Sequence, residues 1–235
     1  MIHYDFPRIE TIDDVLVHIN GYDEINVVET SSYTAIAYAL QTPRLFAWDE
    51  QDTLGSSIRR ECRGLLFEPN GMRRIIRRPF HKFKNINEDP FLQVNTIDLN
   101  VSHYVREKID GSMVAPFFIP GSDRVAYGTK RGITDIGNSA ARYAVNCLPP
   151  EFHNWVKDYL KNGYTPIFEW ISPENRIVVS YNEPELILLA VRHQITGEYI
   201  TDLHSLNFPG KIVQQTTGLE SVNMIMDQCE KLEDA

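Results

Sequence analysis

Cysteine is scarce in this chain. Cys62, Cys147 and Cys229 are the only three in 235 residues, an odd number with no Cys-x-x-Cys pair. Neither they nor the seven histidines fall at metal-ligand spacing. That argues against a zinc site or a disulfide frame and fits a reducing compartment. Cys147 and Cys229 fall in expected helices and read as small core residues. Long apolar runs are missing as well; none approaches the roughly 20 residues of a membrane span. The opening MIHYDFPRIETIDD carries acids where a signal peptide needs a basic and then an apolar segment. It reads as an unprocessed cytosolic start, with no membrane partner. Positive charge is in deficit, with a net charge of −9, which argues against a protein that coats nucleic acid through bulk charge.

The deficit is uneven. Between Arg59 and Lys84 the basic residues Arg59, Arg60, Arg63, Arg73, Arg74, Arg77, Arg78, Lys82 and Lys84 meet two acids, Glu61 and Glu68. Bases this dense repel unless something negative sits among them. The segment is therefore expected to form an anion site, phosphate being the obvious occupant, with Arg74 and Arg77 as rim charges on a strand.

The order of elements is mixed. A short amphipathic helix is expected over Thr11 to Ile19, capped by Thr11 or its neighbours. Extended segments follow at Ser32 to Leu40, Arg44 to Trp48, Gly64 to Phe67 and Arg74 to Arg77, with Pro69-Asn70-Gly71 as the turn between the last two. Val101 to Lys108, Ser112 to Ile119 and Arg124 to Thr129 also read as extended. Ile136 to Asn146 and Glu151 to Leu160 read as helices, the first ended by Pro149-Pro150. Thr165 to Ile171, Arg176 to Tyr181 and Glu185 to Arg192 read as strands, the last buried on both faces. A closing helix is expected over Ser221 to Lys231. There is no internal repeat, low-complexity tract or linker. Strands cluster instead of alternating with helices, which predicts an α+β fold with largely antiparallel sheets flanked by helices.

One short stretch, VREKIDGSMV (105 to 114), can be read in two ways. Asp110-Gly111 is a favoured turn dipeptide in which Gly supplies positive φ, so a plain hairpin with a solvated Lys108 is one reading. The other makes Lys108 a nucleophile. An exposed amine titrates near about 10.4 and is inert at neutral pH, so neighbouring cations or burial must lower that value before it can attack. The basic cluster offers such cations, and they could also hold a triphosphate.

Lys108-Ile109-Asp110-Gly111-Ser112 resembles the nucleotidyl-lysine motif of the covalent nucleotidyltransferases: ATP-dependent RNA and DNA ligases and capping enzymes. The blocks ECRGLLFE (61 to 68), RPFHKFKNINEDPF (78 to 91), FEWISPENRIVVSY (168 to 181) and LILLAVRHQITGEYI (186 to 200) resemble, in order and at compatible spacing, the bacteriophage RNA ligase 1 family. The resemblance runs over roughly residues 30 to 200. It implies a ligase adenylation domain over 1–235, with N-terminal strands and the basic segment in 1–100 and the core with its lysine in 101–235. It implies that Lys108 attacks the α-phosphate of ATP to give lysyl-AMP, with Asp110, Gly111 and Ser112 shaping the turn. Arg63 and Lys82 would hold nucleotide phosphates, and Tyr38 would contact the nucleotide or pack in the core. Glu169 would be the carboxylate at the ribose and metal side, serving magnesium. Lys130 resembles a further catalytic lysine, with Arg131 competing for that part.

The activity implied is ATP-dependent joining of RNA 5′-phosphate and 3′-hydroxyl ends, as in repair of nicked tRNA in the cytoplasm of an infected bacterial host. A DNA ligase or capping enzyme shares the lysine motif but not the flanking blocks. An alternative of another class is a non-catalytic or trans-complemented nucleotide- or RNA-binding fragment. The chain also departs from the family. Lys84 stands where the family has an aromatic residue, and Ile109 where an acid is frequent. Downstream of Glu169 the lysines are Lys211 and Lys231, which make no Lys-x-Lys pair. The expectation is a domain that ends before the last two family motifs, so that a C-terminal segment or second chain completes it.

Overall fold

The computed structural model describes residues 5–88, 93–218 and 224–225. In chain order the elements are α1 (Asp13–Ile19), β1 (Ile25–Glu29), β2 (Thr34–Tyr38), α2 (Thr53–Glu61), β3 (Arg63–Phe67), β4 (Ile75–Arg77), β5 (Val105–Arg106), β6 (Ser112–Phe118), β7 (Val125–Gly128), α3 (Asp135–Cys147), α4 (Pro150–Lys161), β8 (Tyr164–Ile171), β9 (Glu185–His193), β10 (Tyr199–Ile200), β11 (Lys211–Ile212) and β12 (Gln215–Thr216). The chain divides into two compact units, a larger one of Tyr4–Lys82 and Asp110–Ile212 and a smaller one of Met1–His3, Phe83–Ile109 and Val213–Ala235. The fold class is α+β. Among the described residues no helix is long and apolar enough to cross a membrane.

The larger unit holds two sheets. One has the order β1-β2-β3-β4, and the other β10-β9-β8-β6-β7, with β11 also pairing β9. All pairs are antiparallel except β11 with β9. β8 runs between β9 and β6, and every residue after Tyr164 in it is buried. Both of its faces are covered, so its sequence is a continuous apolar run interrupted by Glu169. Ile9, Ile12, Val15, Ile36, Leu45, Ile58, Leu65 and Phe67 form one core cluster. Tyr33, Ala35 and Leu66 join Phe117 of β6 in another. In the smaller unit β5 pairs β12, with Glu107 N–H adding a bond to the Gln214 carbonyl.

Local signals explain the helix limits. Thr134 caps α3 by accepting from Gly137 N–H at 3.3 Å, and Pro149-Pro150 stops it before α4, which takes Pro150 in its first turn. α1 starts at Asp13 without a side-chain cap. Asp14 instead accepts the N–H groups of Glu10 and Thr11 at 2.8 and 2.9 Å, pinning the chain before the helix.

Several expectations are corrected. Arg44 to Trp48 is not a strand but contains a turn, and its apolar spacing comes from Leu45 and Phe46 anchoring the loop in the core. Arg176 to Tyr181 is irregular, with Ile177, Val178 and Val179 exposed; the Asp110 carboxylate accepts two of its N–H groups in place of a strand partner. Cys147 is exposed rather than core, whereas Cys62 is buried. The helix expected over Ser221 to Lys231 lies outside the described residues except at 224–225, and Cys229 with it. Helix α2 has no clear local signal, because its Gly55 is a poor helix former and Ser56 and Ser57 are only modest ones.

α2 ends on the larger unit's most consequential side chain. Glu61 is fully buried between two arginines, themselves without solvent exposure. Arg192 donates to it from Nη1 at 2.8 Å and Nη2 at 2.7 Å, and Arg78 from Nε at 3.1 Å. The remaining guanidinium protons go to backbone carbonyls: Pro7, Gln194 and Ile195 for Arg78, and Pro79 and Gly197 for Arg192. Burial alone would raise the Glu61 carboxyl, but Arg192 and Arg78 hold it down to about 2.

A folded-state value below the ordinary 4.5 means that Glu61 stabilises the fold above pH 4.5 and that this contribution is lost as pH falls toward 2. Glu61→Gln, which leaves two buried guanidinium groups without a counter-charge, is expected to lower unfolding free energy by about 3–5 kcal/mol and to flatten the acid dependence in that window. Urea titrations at pH 7 and at intervals down to pH 2.5 measure both. A variant within about 1 kcal/mol of the parent would contradict this reading of the triad.

Candidate active site

β6 begins at Ser112, and the glycine before it is needed for space. A Cβ on Gly111 would meet the Trp170 carbonyl oxygen at 2.5 Å and the Ile171 side chain at 2.7 Å. The expected positive φ is absent; Gly111 is not among the residues in the left-handed region. Nor is Asp110-Gly111 the turn of a hairpin, because β6 takes β7 and β8 as partners while β5 takes β12. Close approach lets Gly111 N–H donate to Glu169 Oε1 at 3.2 Å. Glu169, on β8 opposite Met113, is buried, and this bond helps to satisfy a carboxylate in an otherwise apolar strand.

The neighbouring residues of the motif organise the segment after β8. The Asp110 carboxylate accepts from Val178 and Val179 N–H, each at 2.7 Å, and Asp110 N–H donates to the Tyr181 hydroxyl at 3.2 Å. Ser112 Oγ donates to Asn175 Oδ1 at 3.1 Å, and Asn175 Nδ2 donates to the Trp170 carbonyl at 2.9 Å. Asp110, Ser112 and the PENRIVVSY stretch are thus one hydrogen-bonded assembly.

Beside Ser112 opens a cavity of about 470 Å³ lined by Tyr38, Arg63, Ser112, Met113, Thr129, Lys130, Arg131, Thr134 and Ile136. This volume suits a nucleotide-sized ligand. Lys130 Nζ lies 4.0 Å from the centroid of the Tyr38 ring, a cation–π contact. Burial, then Arg131 and then Arg63, lowers the Lys130 ammonium below the ordinary lysine value. Tyr38 also packs edge-on against Phe46 at 5.2 Å and touches the core, so cavity lining and core packing are both true of it. Thr134 and Ile136 come from the start of α3, which turns the positive end of its dipole toward the cavity. The Thr134-Asp135 pair ahead of the expected helix is the local signal that could mark them; Met113 and Thr129 carry none.

Arg63, Lys130, Arg131 and the α3 terminus make this a cationic cavity on an acidic chain, suited to phosphate groups. Lys130 is half-buried against Tyr38, and Arg131 is exposed. Lys82 is half-buried at the end of the larger unit's first segment, its N–H bonded to the Arg60 carbonyl at 2.7 Å, and is not among the cavity's lining residues. Lys108 is exposed in the smaller unit just past β5, two residues before Asp110 in the chain. Among the described residues no three His, Cys, Asp or Glu side chains gather as a metal cage. Glu169 could offer a single carboxylate, which is how magnesium is often held when phosphates supply further oxygens.

The basic segment as a whole is not one anion site. Arg77 and Arg78 are fully buried, and Arg59 nearly so, with Arg59 paired to Asp52 at 3.1 Å. Arg73 pairs with Glu29 at 2.7 Å, and Arg60 lies over the Trp48 ring at 5.4 Å. Arg77 is therefore no rim charge. The density of bases in this stretch comes mainly from internal partners.

Comparison with known proteins places this arrangement in a family. A model of the family described as RNA ligase matches residues 61–233. The chain is 29% identical over 231 residues to a "Putative RNA ligase" of Thermovibrio ammonificans, covering 95% of this chain and 56% of that protein. It is 28% identical over 190 residues to RNA ligase 1 of Bacteriophage TS2126, covering 74% of this chain and 42% of that protein. It thus spans about half the length of these curated relatives. Together with the blocks around Lys108, the family match settles the classification: the chain belongs to the RNA ligase family, of the bacteriophage RNA ligase 1 type.

Proposed function

We propose that residues 1–235 form the adenylyltransferase domain of an ATP-dependent RNA ligase that works through a lysyl-AMP intermediate. The observation that carries this reading is the cationic cavity of about 470 Å³, in which Tyr38, Arg63 and Lys130 meet Ser112 of the Lys-x-Asp-Gly-Ser motif. Cations gathered beside an aromatic ring offer a nucleoside polyphosphate fixed positive charge and an apolar contact.

In the first step the Lys108 amine, having given up a proton, attacks the α-phosphorus of ATP. A phosphorus–nitrogen bond forms as the bond to the bridging oxygen breaks, and pyrophosphate leaves. A 5′-phosphate oxygen of RNA then attacks the same phosphorus and releases the lysine. A 3′-hydroxyl finally attacks the RNA 5′-phosphorus, giving a phosphodiester and free AMP. Arg63 and Lys130 hold triphosphate oxygens in line for pyrophosphate departure, with Lys82 as a further phosphate ligand. Asp110 and Gly111 fix the start of β6, and Glu169 would serve the ribose and metal side of the site. Magnesium, when bound, neutralises phosphate charge, with Glu169 as its protein carboxylate. RNA ends, nicked tRNA among them, are the proposed substrates, and the cytoplasm of a phage-infected bacterium the proposed setting. A C-terminal segment or second chain supplies the Lys-x-Lys strand that full activity draws on.

Lys108→Ala is expected to abolish covalent label from α-labelled ATP in magnesium, read by denaturing electrophoresis, with the fold retained. Labelled GTP is expected to give none. Label persisting in that variant, or mapped by mass spectrometry to Lys82 or Lys130, would sink the assignment.

Arg63→Ala and Lys130→Ala are each expected to weaken ATP binding about thirtyfold, or about 2 kcal/mol, by removing a charge-assisted hydrogen bond from a partly dry cavity. Arg74, which is exposed, serves as the comparison, with Arg74→Ala changing binding less than about twofold. Calorimetric titration decides, and equal small effects at all three positions would contradict the site.

A further inference from the structure

Arg77 is fully buried on β4, yet among the described residues no carboxylate pairs with it. Its partners are backbone carbonyls and a ring. Nε and Nη2 donate to the Gly64 carbonyl at 3.2 and 3.0 Å, Nη2 also reaches the Thr129 carbonyl at 2.8 Å, and the guanidinium lies 5.5 Å from the Phe117 ring centroid. Burying a cation without a counter-ion is costly. Burial pulls this guanidinium down to about 9, which leaves it charged at neutral pH. A structure that tolerates the cost gains something specific, and the two carbonyls say what. Gly64 follows Arg63, and Thr129 precedes Lys130. One planar fork thus bridges the backbone beside two of the cavity's cations, Arg63 and Lys130.

The loop after Thr129 has a second tether. Thr129 and Gly132 exchange both backbone hydrogen bonds, at 2.9 and 3.0 Å, closing a tight turn with Lys130 and Arg131 at its tip. Gly132 has φ +88°, and a Cβ there would meet the Tyr33 hydroxyl at 2.6 Å, so the turn is shaped to sit against that side chain. The Tyr33 hydroxyl accepts from Ile133 N–H at 2.9 Å. Tyr33 is itself buried, edge-on to Phe117 at 5.6 Å. The near side of the turn is thus gripped by Arg77 and the far side by Tyr33, and both grips come from residues packed against Phe117.

We propose that Arg77 and Tyr33 are positioning residues that clamp the Thr129–Ile133 turn, so that Lys130 is held over Tyr38 and at a fixed distance from Arg63. Neither residue lines the cavity; each acts through the backbone beside a residue that does. The inference rests on the reading of that cavity as the nucleotide site, but its geometric content can be tested without activity.

Lys130 reports the clamp. Its ammonium is lowered by burial, then by Arg131 and Arg63, with Tyr38 as the ring it covers. A loosened turn returns it to water. The chain is reductively methylated with ¹³C-formaldehyde and the lysine signals are titrated by NMR, with Lys130→Arg identifying the Lys130 resonance. In the parent it is expected to titrate below the other lysines. In Tyr33→Phe, which removes one hydroxyl and no charge, and in Arg77→Lys, which keeps the charge but not the fork, it is expected to move up toward about 10.4. Near-UV circular dichroism checks that each variant is folded. Should Arg77→Lys fail to fold, Tyr33→Phe alone carries the test. The same variants are expected to lower kcat/KM for ATP in lysyl-AMP formation about tenfold. An unchanged Lys130 titration in the folded variants overturns the clamp. A parent chain that forms no lysyl-AMP overturns the adenylylation reading instead, and the NMR result stands apart from it.

Discussion

One buried carboxylate organises the larger unit. Glu61 closes α2 and receives two guanidinium groups, from Arg78 just past β4 and Arg192 in β9, with no solvent at any of the three side chains. Such a cluster costs several kcal/mol per ion in desolvation and survives only where nearly every polar hydrogen finds an acceptor. Here the carbonyls of five backbone positions, Pro7, Pro79, Gln194, Ile195 and Gly197, complete the set. The consequence is a junction in which the N-terminal segment, the end of the first sheet and a strand of the second share one electrostatic centre. Arg63 follows Glu61 by two residues, so this cavity arginine leaves the chain beside a point that the knot fixes.

Depth sorts the cations by task. Arg59, Arg77, Arg78 and Arg192 are internal, held by acids, carbonyls or rings. Arg63, Lys130 and Arg131 face the cavity. A chain of net charge −9 can then present concentrated positive charge at one place while much of its basic segment contributes to packing. Field lines focused in a low-dielectric cleft favour an anion more than the same charges spread over a surface would. This is the physical basis for reading the cavity as a polyphosphate site on a chain that is acidic overall.

Much of the fold was legible where the signal is local. The Pro149-Pro150 stop and the helical periodicity on either side of it set out α3 and α4, and apolar runs marked β6, β8 and β9. The misses have a common cause in long-range partners. Arg176 to Tyr181 has the β-branched composition of a strand, but the Asp110 carboxylate takes its N–H groups from 68 and 69 positions away. Arg44 to Trp48 has the spacing of a strand because two side chains anchor a loop. The ion knot joins residues up to 131 apart, and nothing local distinguishes Arg78 inside it from Arg74 on the surface. At the candidate site, the resemblance pointed to Tyr38, Arg63, Ser112 and Lys130, which line one cavity, and to Lys82, Asp110, Gly111 and Glu169, which are not among its lining residues. What sequence could not supply was the reason for Gly111, whose constraint is the nearness of β8 and not a turn angle, or the support of the Lys130 turn by Arg77 and Tyr33.

The claim on which the account rests is that the Tyr38–Arg63–Ser112–Lys130 cavity receives the nucleotide. A crystal structure of the chain with α,β-methylene-ATP and magnesium tests it most directly, because the methylene bridge blocks transfer while keeping the charge. The account predicts the base beside Tyr38 and the phosphates within hydrogen-bond reach of Arg63 and Lys130. Nucleotide bound elsewhere, for instance in the cleft between β7, α3 and α4 lined by Arg124, Arg142 and Lys157, with the Tyr38 cavity empty, would contradict it.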